Sequence, residues 1–448
     1  MINILLVGSG AREHAIAESV IRSEKTRLFS VMSGRNPGIM KVSKKYTVGK
    51  ITDTNFVTDF AIQNKIDIAI VGPEAPLVGG VVDSLEDKGI RCVGPRKPLA
   101  MIEGDKAFCR ELMKKYSIRG LPYFKVSLDT REASNHIDSI GEAVIKPAGL
   151  TGGKGVQIVG EHLKNREEAI HYVQKILDQK PGGLGKVVIE EKLDGEEYTL
   201  QAFVDGKDVR PMPCVQDHKR AYEGDIGPNT GGMGSYSDEN HLLPFLTQEE
   251  FDESVEIMKM TVSALKKELG VPYKGILYGQ FLLGCGNVTK DFGVQVVEFN
   301  ARFGDPENMN VLPLLSEDTD PLELYYGIAD GNISRSVKFD EKATVCKYLV
   351  PVAYPENVKP GDPIVVDEKA ISKDDARVFY ASVDMIDDRL VTTTSRTLAV
   401  AGFAETINEA EQISEKATSH VKGKLRHRKD IGTAQLIQKR IEHVRKLR

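Results

Sequence analysis

Residues 293–307 read GVQVVEFNARFGDPE, and they carry the signal that decides how the chain folds. Their alternation predicts a β-strand on which Glu298, Asn300 and Arg302 share one face. Residues 278–283 predict the partner strand of a hairpin. This hairpin would bring the carbonyl oxygen of Gln280 beside Glu298 and Asn300. Oxygen ligands with few formal charges suit Mg²⁺, so Gln280, Glu298 and Asn300 are candidate metal ligands. The planar guanidinium of Arg302 suits a carboxylate or a phosphate.

A second signal lies in residues 143–159, AVIKPAGLTGGKGVQIV, which predict a strand, a glycine-rich loop and another strand. The loop is not a Walker A motif, because Ala148 replaces its first glycine and Gly155 follows the lysine where a hydroxyl is required. Its glycines still allow backbone amides to approach an anion closely, while Lys146 and Lys154 supply positive charge. We therefore predict a hairpin that covers phosphates. A surface hairpin without a ligand is the alternative.

The first hundred residues alternate short apolar runs with helical patterns, which predicts a parallel sheet covered by helices. The first strand leads into GSGAREH at residues 8–14, and a helix that starts there would point backbone N–H groups at a phosphate. Glu13 occupies the third glycine position of the dinucleotide fingerprint, and no acid follows the second strand, so we exclude an NAD site. Glu74 follows the strand at 66–71 and is expected to face the same crevice. For the turn at residues 8–14, the alternative is a tight turn that binds no ligand.

Another glycine-rich segment combines QDHKR at residues 216–220 with GPNTGGMG at 227–234, so that an acid and two cations precede the loop. The chain has no G-x-S-x-G elbow, no H-E-x-x-H helix and no Cys/His pair at ligand spacing. Covalent nucleophilic catalysis and zinc chemistry therefore lack support in the sequence.

Composition excludes several classes of protein. Sixty Lys and Arg against 65 Asp and Glu give a net charge of −5, whereas nucleic-acid binding requires an excess of cations. Five scattered cysteines are typical of a reducing compartment and argue against disulfides. We see no basic leader and no run approaching ~18 apolar residues, so we expect a cytoplasmic protein without membrane spans.

The length of 448 residues predicts three or four domains. One helix is expected from about residue 102 to residue 116, and a small α+β unit follows it. Beyond residue 340 the pattern becomes β-rich, with strands at 343–352, 377–385 and 389–401 and a helix at 405–420. Apolar residues at helical spacing in the basic tail from residue 433 predict a helix that packs against the body.

Taken together, these stretches closely resemble the phosphoribosylamine–glycine ligase family of the ATP-grasp superfamily. The resemblance runs through residues 8–15, 72–77, 216–220, 227–234 and 298–307 to RKDIG at 428–432, and so covers nearly the whole chain. The chain departs from the family pattern at Ala11, where a second glycine is common, at Thr151-Gly152, where Ala-Ala is common, and in a longer tail after Gly432.

The resemblance implies an α/β and α+β multidomain fold. A Rossmann-like substrate domain is expected at 1–101, and an ATP-grasp central domain at 102–120 and 189–335. A lid domain is expected as an insertion at 121–188, and a β-rich carboxy-terminal domain with a basic helical tail at 336–448.

The activity that the resemblance implies is the ATP-dependent ligation of glycine to 5-phosphoribosylamine, a step of de novo purine biosynthesis. The products are glycinamide ribonucleotide, ADP and phosphate, and the intermediate is glycyl phosphate. The implied metal is Mg²⁺ or Mn²⁺, held by Gln280, Glu298 and Asn300. A monomer or weak dimer is expected, with no nucleic acid and no membrane as partner.

The implied site residues fall into three overlapping sets. The catalytic set is Arg302, Lys154, Asp217 and Lys219. The nucleotide-binding set is Lys106, Lys146, Gly152, Gly153, Lys154, Glu190, Glu191, Leu193 and Glu197. The set for glycine and the sugar phosphate is Gly10, Arg12, Glu13, Glu74, Asp217, Asn229, Thr230, Gly231, Arg302 and Asp305.

Three other functions remain open from the sequence. Another ATP-grasp enzyme, acting on formate or bicarbonate, would share the hairpin and the carboxylate strand but should lack the segments at 216–220 and 227–234 together. A dehydrogenase would need a nucleotide site of the kind excluded above. A non-catalytic nucleotide sensor would have lost its metal ligands, and here all three candidates are present.

Overall fold

The computed structural model of the chain describes residues 1–152, 155–333 and 337–448. Its amino-terminal part forms a five-stranded parallel sheet in the order β3-β2-β1-β4-β5. Residues 4–7 of the central strand are fully buried on both sheet faces, as is typical of a parallel sheet covered by helices. The elements are β1 Ile2–Val7, α1 Ala11–Ile21, β2 Thr26–Met32, α2 Pro37–Val42, β3 Lys45–Val48, α3 Thr54–Gln63, β4 Ile68–Val71, α4 Glu74–Gly79, α5 Val81–Glu86, β5 Arg91–Val93 and α6 Lys97–Gly104.

The single helix expected at 102–116 is wrong, because two helices meet there. Helix α6 ends at Gly104, and α7 (Lys106–Lys115) begins after Asp105. Asp105 has an extended backbone, and its carboxylate accepts hydrogen bonds from the N–H groups of Ala107 and Phe108 at 2.9 and 3.2 Å. An aspartate in this position caps a new helix, which explains the break.

A small α+β unit follows, with an apolar core of its own. Its four strands lie in the order β6-β9-β7-β8, and α8 and α9 supply core residues such as Ile137 and Val173. The glycine-rich loop joins β7 to β8, as the strand-loop-strand pattern predicts. The elements are β6 Phe124–Ser127, α8 Thr130–Ile140, β7 Ala143–Pro147, β8 Gln157–Ile158, α9 Arg166–Gln179, a 3-10 turn at Pro181–Gly183 and β9 Val187–Glu191.

The central part is built on an antiparallel sheet in the order β11-β10-β16-β17. The predicted hairpin is confirmed: β16 pairs with β17, and Gln280 lies opposite Glu298. The elements are β10 Leu193–Asp205, β11 Val209–Pro211, β12 Gln216–Asp217, β13 Arg220–Tyr222, β14 Ile226–Asn229, β15 Gly234–Ser237, α10 Gln248–Leu269, β16 Lys274–Gly286, β17 Gly293–Asn300, α11 Asn308–Val311, a 3-10 turn at Leu312–Leu314 and α12 Pro321–Asp330.

The β-rich end of the chain forms a sheet with the order β12-β15-β18-β23-β20, in which two strands come from the central part. Gly234 (φ +155°) allows the close approach of β15 to β18, because a Cβ there would lie 2.3 Å from the carbonyl oxygen of Cys346. The elements are β18 Ala343–Pro351, β19 Val365–Val366, α13 Glu368–Lys373, β20 Ala376–Tyr380, β21 Val383–Ile386, β22 Arg389–Thr392, β23 Leu398–Ala404, α14 Ile407–Thr418, β24 Val421–Lys422, β25 Leu425–Arg426 and α15 Ala434–Leu447.

The multidomain α/β and α+β fold class is therefore confirmed, with a parallel amino-terminal sheet and a β-rich carboxy-terminal part. Among the helices that the structure describes, none is both long and apolar enough to cross a membrane.

Candidate active site

A cavity of about 120 Å³ lies where the glycine-rich loop faces the carboxylate strand. Helices α6 and α7 close one side of it, β9 forms another, and β17 supplies its floor. Eight of the predicted site residues line this cavity: Glu74, Lys106, Lys146, Gly152, Glu190, Glu298, Asn300 and Arg302. The structure thus brings together residues that lie more than 200 positions apart in the chain.

Glu190 forms a buried ionic cluster at the wall of the cavity. Its carboxylate accepts hydrogen bonds from Arg110 at 2.6 and 3.2 Å and from Lys146 at 2.5 Å. Burial alone would raise the pKa of Glu190, but the two cations outweigh it and lower that pKa to about 2. The cluster thus fixes the position of Lys146 in the cavity. Lys106 is also held there, since its Nζ donates to the carbonyl oxygen of Gly149 at 3.2 Å.

Glu298 is the carboxylate on the floor of the cavity. Burial opposes its ionisation, but Lys106, Lys219 and Lys146 together hold its pKa below the ordinary value. The amide nitrogen of Asn300 lies 3.4 Å from a carboxylate oxygen of Glu298. The ionised carboxylate is an oxygen donor of the kind that Mg²⁺ takes in proteins, whereas the amide oxygen of Asn300 accepts a hydrogen bond from Arg302 at 3.2 Å.

Gln280 lies next to Glu298 but uses its amide group elsewhere. Its carbonyl oxygen accepts hydrogen bonds from Tyr278 and Thr199, and its amide nitrogen donates to Glu197 at 3.1 Å. The carbonyl oxygen of Gln280 would reach a cation only after its amide group rotates. Such a rotation would give up the hydrogen bonds that the amide nitrogen now donates to Glu197 and Asp217.

Arg302 connects the carboxylate strand to the amino-terminal part. Its guanidinium lies 3.4 Å from Glu74 and 3.1 Å from Glu103, and it is 18% exposed. Glu103 also accepts a hydrogen bond from the N–H of Ala301 at 2.8 Å. Burial raises the pKa of Glu103 to about 6, although Arg302 opposes this. Glu103 lines the same cavity as Arg302.

The amino-terminal turn is closed by its own glutamate. The N–H of Gly10 donates to the carboxylate of Glu13 at 2.6 Å, and the guanidinium of Arg12 lies 2.6 Å from the same carboxylate. Arg12 also donates to the carbonyl oxygen of Phe303 at 3.1 Å and lies 4.0 Å from Glu74. In this arrangement the amide of Gly10 is engaged by Glu13 and is not free for an anion.

Asp217 and Lys219 lie close to the side chains of Gln280 and Glu298. Lys219 lies 2.6 Å from Glu197, and Asp217 lies 3.4 Å from the amide nitrogen of Gln280. Burial raises the pKa of Asp217, and Lys219 opposes this. The two carboxylates in turn keep the pKa of Lys219 above its ordinary value despite burial. Glu307 completes this network, since its carboxylate lies 2.8 Å from the hydroxyl oxygen of Tyr278 and burial raises its pKa to about 7.

The second glycine-rich segment is held by the carboxy-terminal part of the chain. Arg396 donates to the carbonyl oxygens of Gly231 and Gly232 at 2.6 and 2.9 Å, and its guanidinium lies 3.3 Å from Asp305. The guanidinium also stacks 4.4 Å above the ring of Tyr348, whose hydroxyl donates to Asp305 at 2.6 Å. Gly231 and Asp305 are thereby positioned together.

The remaining predicted residues lie around these clusters. Thr230 is buried and donates to the carbonyl oxygen of Lys219 at 2.8 Å, while Asn229 ends β14. The carboxylate of Glu191 accepts hydrogen bonds from the N–H groups of residues 123, 288 and 289, and Leu193 begins β10. Gly153 and Lys154 lie outside the described residues.

Sequence reasoning missed Arg110, Glu103, Arg396, Tyr278 and Glu307. Arg110 lies four residues after Lys106 on one helix, a spacing that places both side chains on the same face and that could have been recognised. Nothing local marks Arg396, because Gly231 lies 165 residues and Asp305 91 residues earlier in the chain.

Comparison with protein families matches three models of phosphoribosylglycinamide synthetase along the chain. The N-domain model matches residues 2–103, the ATP-grasp (A) domain model residues 104–308, and the C-domain model residues 344–434. A phosphoribosylamine–glycine ligase of Methanocella arvoryzae is 50% identical over 447 residues, which cover 99% of both chains. The enzyme of the same name from Methanopyrus kandleri is 49% identical and covers all of both chains.

Solved structures agree with this assignment. A phosphoribosylamine–glycine ligase from Thermotoga maritima superimposes with a TM-score of 0.78 at 27% identity, covering 96% of this chain and 100% of that one. A biotin carboxylase from Campylobacter jejuni has a TM-score of 0.75 at 14% identity over 99% and 98% of the two chains, which shows a shared fold alone. With family models along most of its length and full-length relatives at 49–50% identity, the chain belongs to the phosphoribosylamine–glycine ligase family, ATP-dependent enzymes that ligate glycine in purine biosynthesis.

Proposed function

We propose that the cavity between the glycine-rich loop and the carboxylate strand is where this chain activates glycine as glycyl phosphate. The observation that carries the proposal is the convergence of Lys106 and Lys146 with Glu298 and Arg302 on one cavity. The lysines suit the phosphates of ATP, and the guanidinium suits the carboxylate of glycine.

The reaction needs two displacements. A carboxylate oxygen of glycine attacks the γ-phosphorus of ATP, so that an O–P bond forms and the bond to ADP breaks. The amine of 5-phosphoribosylamine then attacks the acyl carbon, phosphate leaves with the electron pair of the C–O bond, and the nitrogen loses a proton. Asp217 is the proposed acceptor of that proton, because it lies 3.4 Å from the amide nitrogen of Gln280, the residue opposite Glu298, and burial raises its pKa.

The chain's residues act mainly by orientation and charge. Arg302, held by Glu74 and Glu103, orients the glycine carboxylate for attack. Glu298 and Asn300, with Gln280 after rotation of its amide, would hold Mg²⁺, and Mn²⁺ is a proposed substitute. The bound cation would neutralise phosphate charge. Lys154 and Gly153 are proposed to cover the phosphates from the lid side, and Glu190, Glu191, Leu193 and Glu197 to surround the nucleoside.

The test measures ADP release with ATP, Mg²⁺, glycine and freshly generated 5-phosphoribosylamine, omitting each in turn. The proposal expects release to require all of them, and release supported equally by formate or bicarbonate would contradict it. A second measurement replaces the amine with concentrated hydroxylamine. Glycine hydroxamate formed with ADP supports the acyl phosphate, whereas hydroxamate formed with AMP and pyrophosphate would show an adenylate instead.

Three coarser features of the protein are also proposed. The chain is expected to work in the cytoplasm as a monomer or weak dimer, which sedimentation at several concentrations would check. Domain boundaries near residues 101, 120, 188 and 335 are proposed, and the separate apolar core of the 124–191 unit supports the lid. Limited proteolysis should cut first in the exposed turns that flank these boundaries, because residues 101 and 188 themselves lie inside α6 and β9.

A further inference from the structure

Helix α15 at the carboxy terminus covers the outer side of the strand that enters the proposed nucleotide site. Thr433 caps the helix, and Leu436, Ile437 and Val444 are buried where it packs on β10 and β16. The family model of the C domain stops at residue 434, so almost the whole helix lies beyond the part that this model describes.

Two polar side chains of α15 reach β10 directly. The guanidinium of Arg440 lies 3.2 Å from the carboxylate of Glu196, and Nδ1 of His443 lies 2.7 Å from the same group. Nε2 of His443 lies 3.2 Å from Asp194. Glu196 is only 3% exposed, so its charge depends on these partners and not on water.

Because side chains alternate along a strand, contacts on one face of β10 also orient the side chains on its other face. Asp194 and Glu196 face the helix, so Glu197 points to the other side, where it meets Lys219 at 2.6 Å and Gln280 at 3.1 Å. The contacts of α15 that fix the backbone at Glu196 therefore also fix the direction in which the side chain of Glu197 points.

A second connection runs through Gln216. Its amide nitrogen lies 3.3 Å from the carboxylate of Glu196 and donates to the carbonyl oxygen of Glu197 at 2.9 Å. Gln216 precedes Asp217 on β12, so Glu196 also helps to place the proposed proton acceptor.

We propose that Arg440 is a positioning residue for ATP, which acts by holding Glu196 so that Glu197 and Asp217 keep the orientation required for nucleotide binding and transfer. The inference rests on the proposed roles of Glu197 and Asp217. Loss of Arg440 leaves the buried carboxylate of Glu196 with fewer donors, so the start of β10 shifts toward other partners or water.

The same helix offers a matched control. Arg448 lies 2.7 and 2.9 Å from the two carboxylate oxygens of Glu250, at the end of α15 away from Glu196. Arg448→Gln therefore weakens the docking of the helix without touching Glu196. Arg440→Gln removes the contact with Glu196 together with the ion pair between Arg440 and Asp225, and Arg440→Lys keeps the charge.

The experiment compares these full-length variants with the parent in steady-state kinetics and thermal unfolding. Arg440→Gln should raise KM for ATP by about tenfold and KM for glycine by less than about twofold. The tenfold effect is smaller than the ~100-fold loss of rate that a 1 Å misplacement of reacting groups can cause. Arg440→Lys should recover part of this loss. Arg448→Gln should lower the unfolding temperature and leave KM for ATP unchanged.

Failure of the inference is distinguishable from failure of the proposed function. If the parent shows no glycine-dependent ADP release, the proposed function fails. If the parent is active but Arg440→Gln changes KM for ATP no more than Arg448→Gln does, the helix has only a structural role. Should Arg440→Gln not fold, Glu196→Gln provides the same test, and an unchanged KM for ATP in that variant overturns the inference.

Discussion

The buried carboxylate of Glu190 gives the sharpest quantitative prediction. Its pKa of about 2, against an ordinary value of 4.5, corresponds to about 3 kcal/mol at ~1.36 kcal/mol per pH unit. Because the pKa is lowered in the folded state, this stabilisation is fully present above pH 4.5 and is lost as the pH falls toward 2. Glu190→Gln should therefore lower the free energy of unfolding at pH 7 by about 3 kcal/mol, since Arg110 and Lys146 lose their shared partner.

Urea denaturation followed by circular dichroism, repeated between pH 2 and pH 7, measures this effect. The free energy of unfolding of the parent should fall more steeply below pH 4.5 than that of Glu190→Gln, and the two curves should converge near pH 2. Glu317→Gln, on the exposed surface, is the control and should follow the parent. Parallel curves for the parent and Glu190→Gln would refute the reasoning, because the ion pair would then contribute nothing that depends on ionisation.

Glu298→Gln should lower kcat by at least ~100-fold with little change in unfolding temperature, because it removes the one carboxylate of the proposed metal site; activity within a few-fold of the parent at saturating Mg²⁺ would contradict the assignment. Glu103→Gln should remove the acidic limb of the pH profile of kcat/KM, since Glu103, with a pKa of about 6, is ionised and holds Arg302 only above that pH. An unchanged acidic limb would show that another group causes it. Arg396→Gln should raise KM for 5-phosphoribosylamine more than KM for ATP, because it releases Gly231 and Asp305; equal changes in both constants would indicate general damage.

Part of the site could be predicted because strand geometry is periodic. A period of two residues is enough to place Glu298 and Asn300 on one face, and the turn between β16 and β17 fixes which residue lies opposite. The same reasoning locates the glycine-rich loop between β7 and β8. The direction of the Gln280 amide could not be predicted, since it depends on the hydroxyl groups of Tyr278, two residues earlier on β16, and of Thr199, its partner on β10, whose orientations no local pattern sets.

The charge balance of the site was less accessible from the sequence. Lys146 is a phosphate-type lysine by its motif, but its partner Glu190 lies on a strand 44 residues later and is shared with Arg110 from a helix. The break at Asp105 shows a related limit: its capping potential is visible in the sequence, yet apolar periodicity on both sides favours one continuous helix. Local patterns predict the elements, whereas partners from distant elements set the protonation of the side chains.

The sheet that joins β12 and β15 to β18 has a consequence for protein engineering. The boundary expected near residue 335 cuts the chain between β15 and β18, although these strands share backbone hydrogen bonds from Gly234 opposite Lys347 to Ser237 opposite Thr344. A chimera that exchanges the carboxy-terminal part at this point would pair β15 from one parent with β18 from the other. Recombination between relatives should therefore succeed only when residues 216–237 and the strands after residue 343 are inherited together.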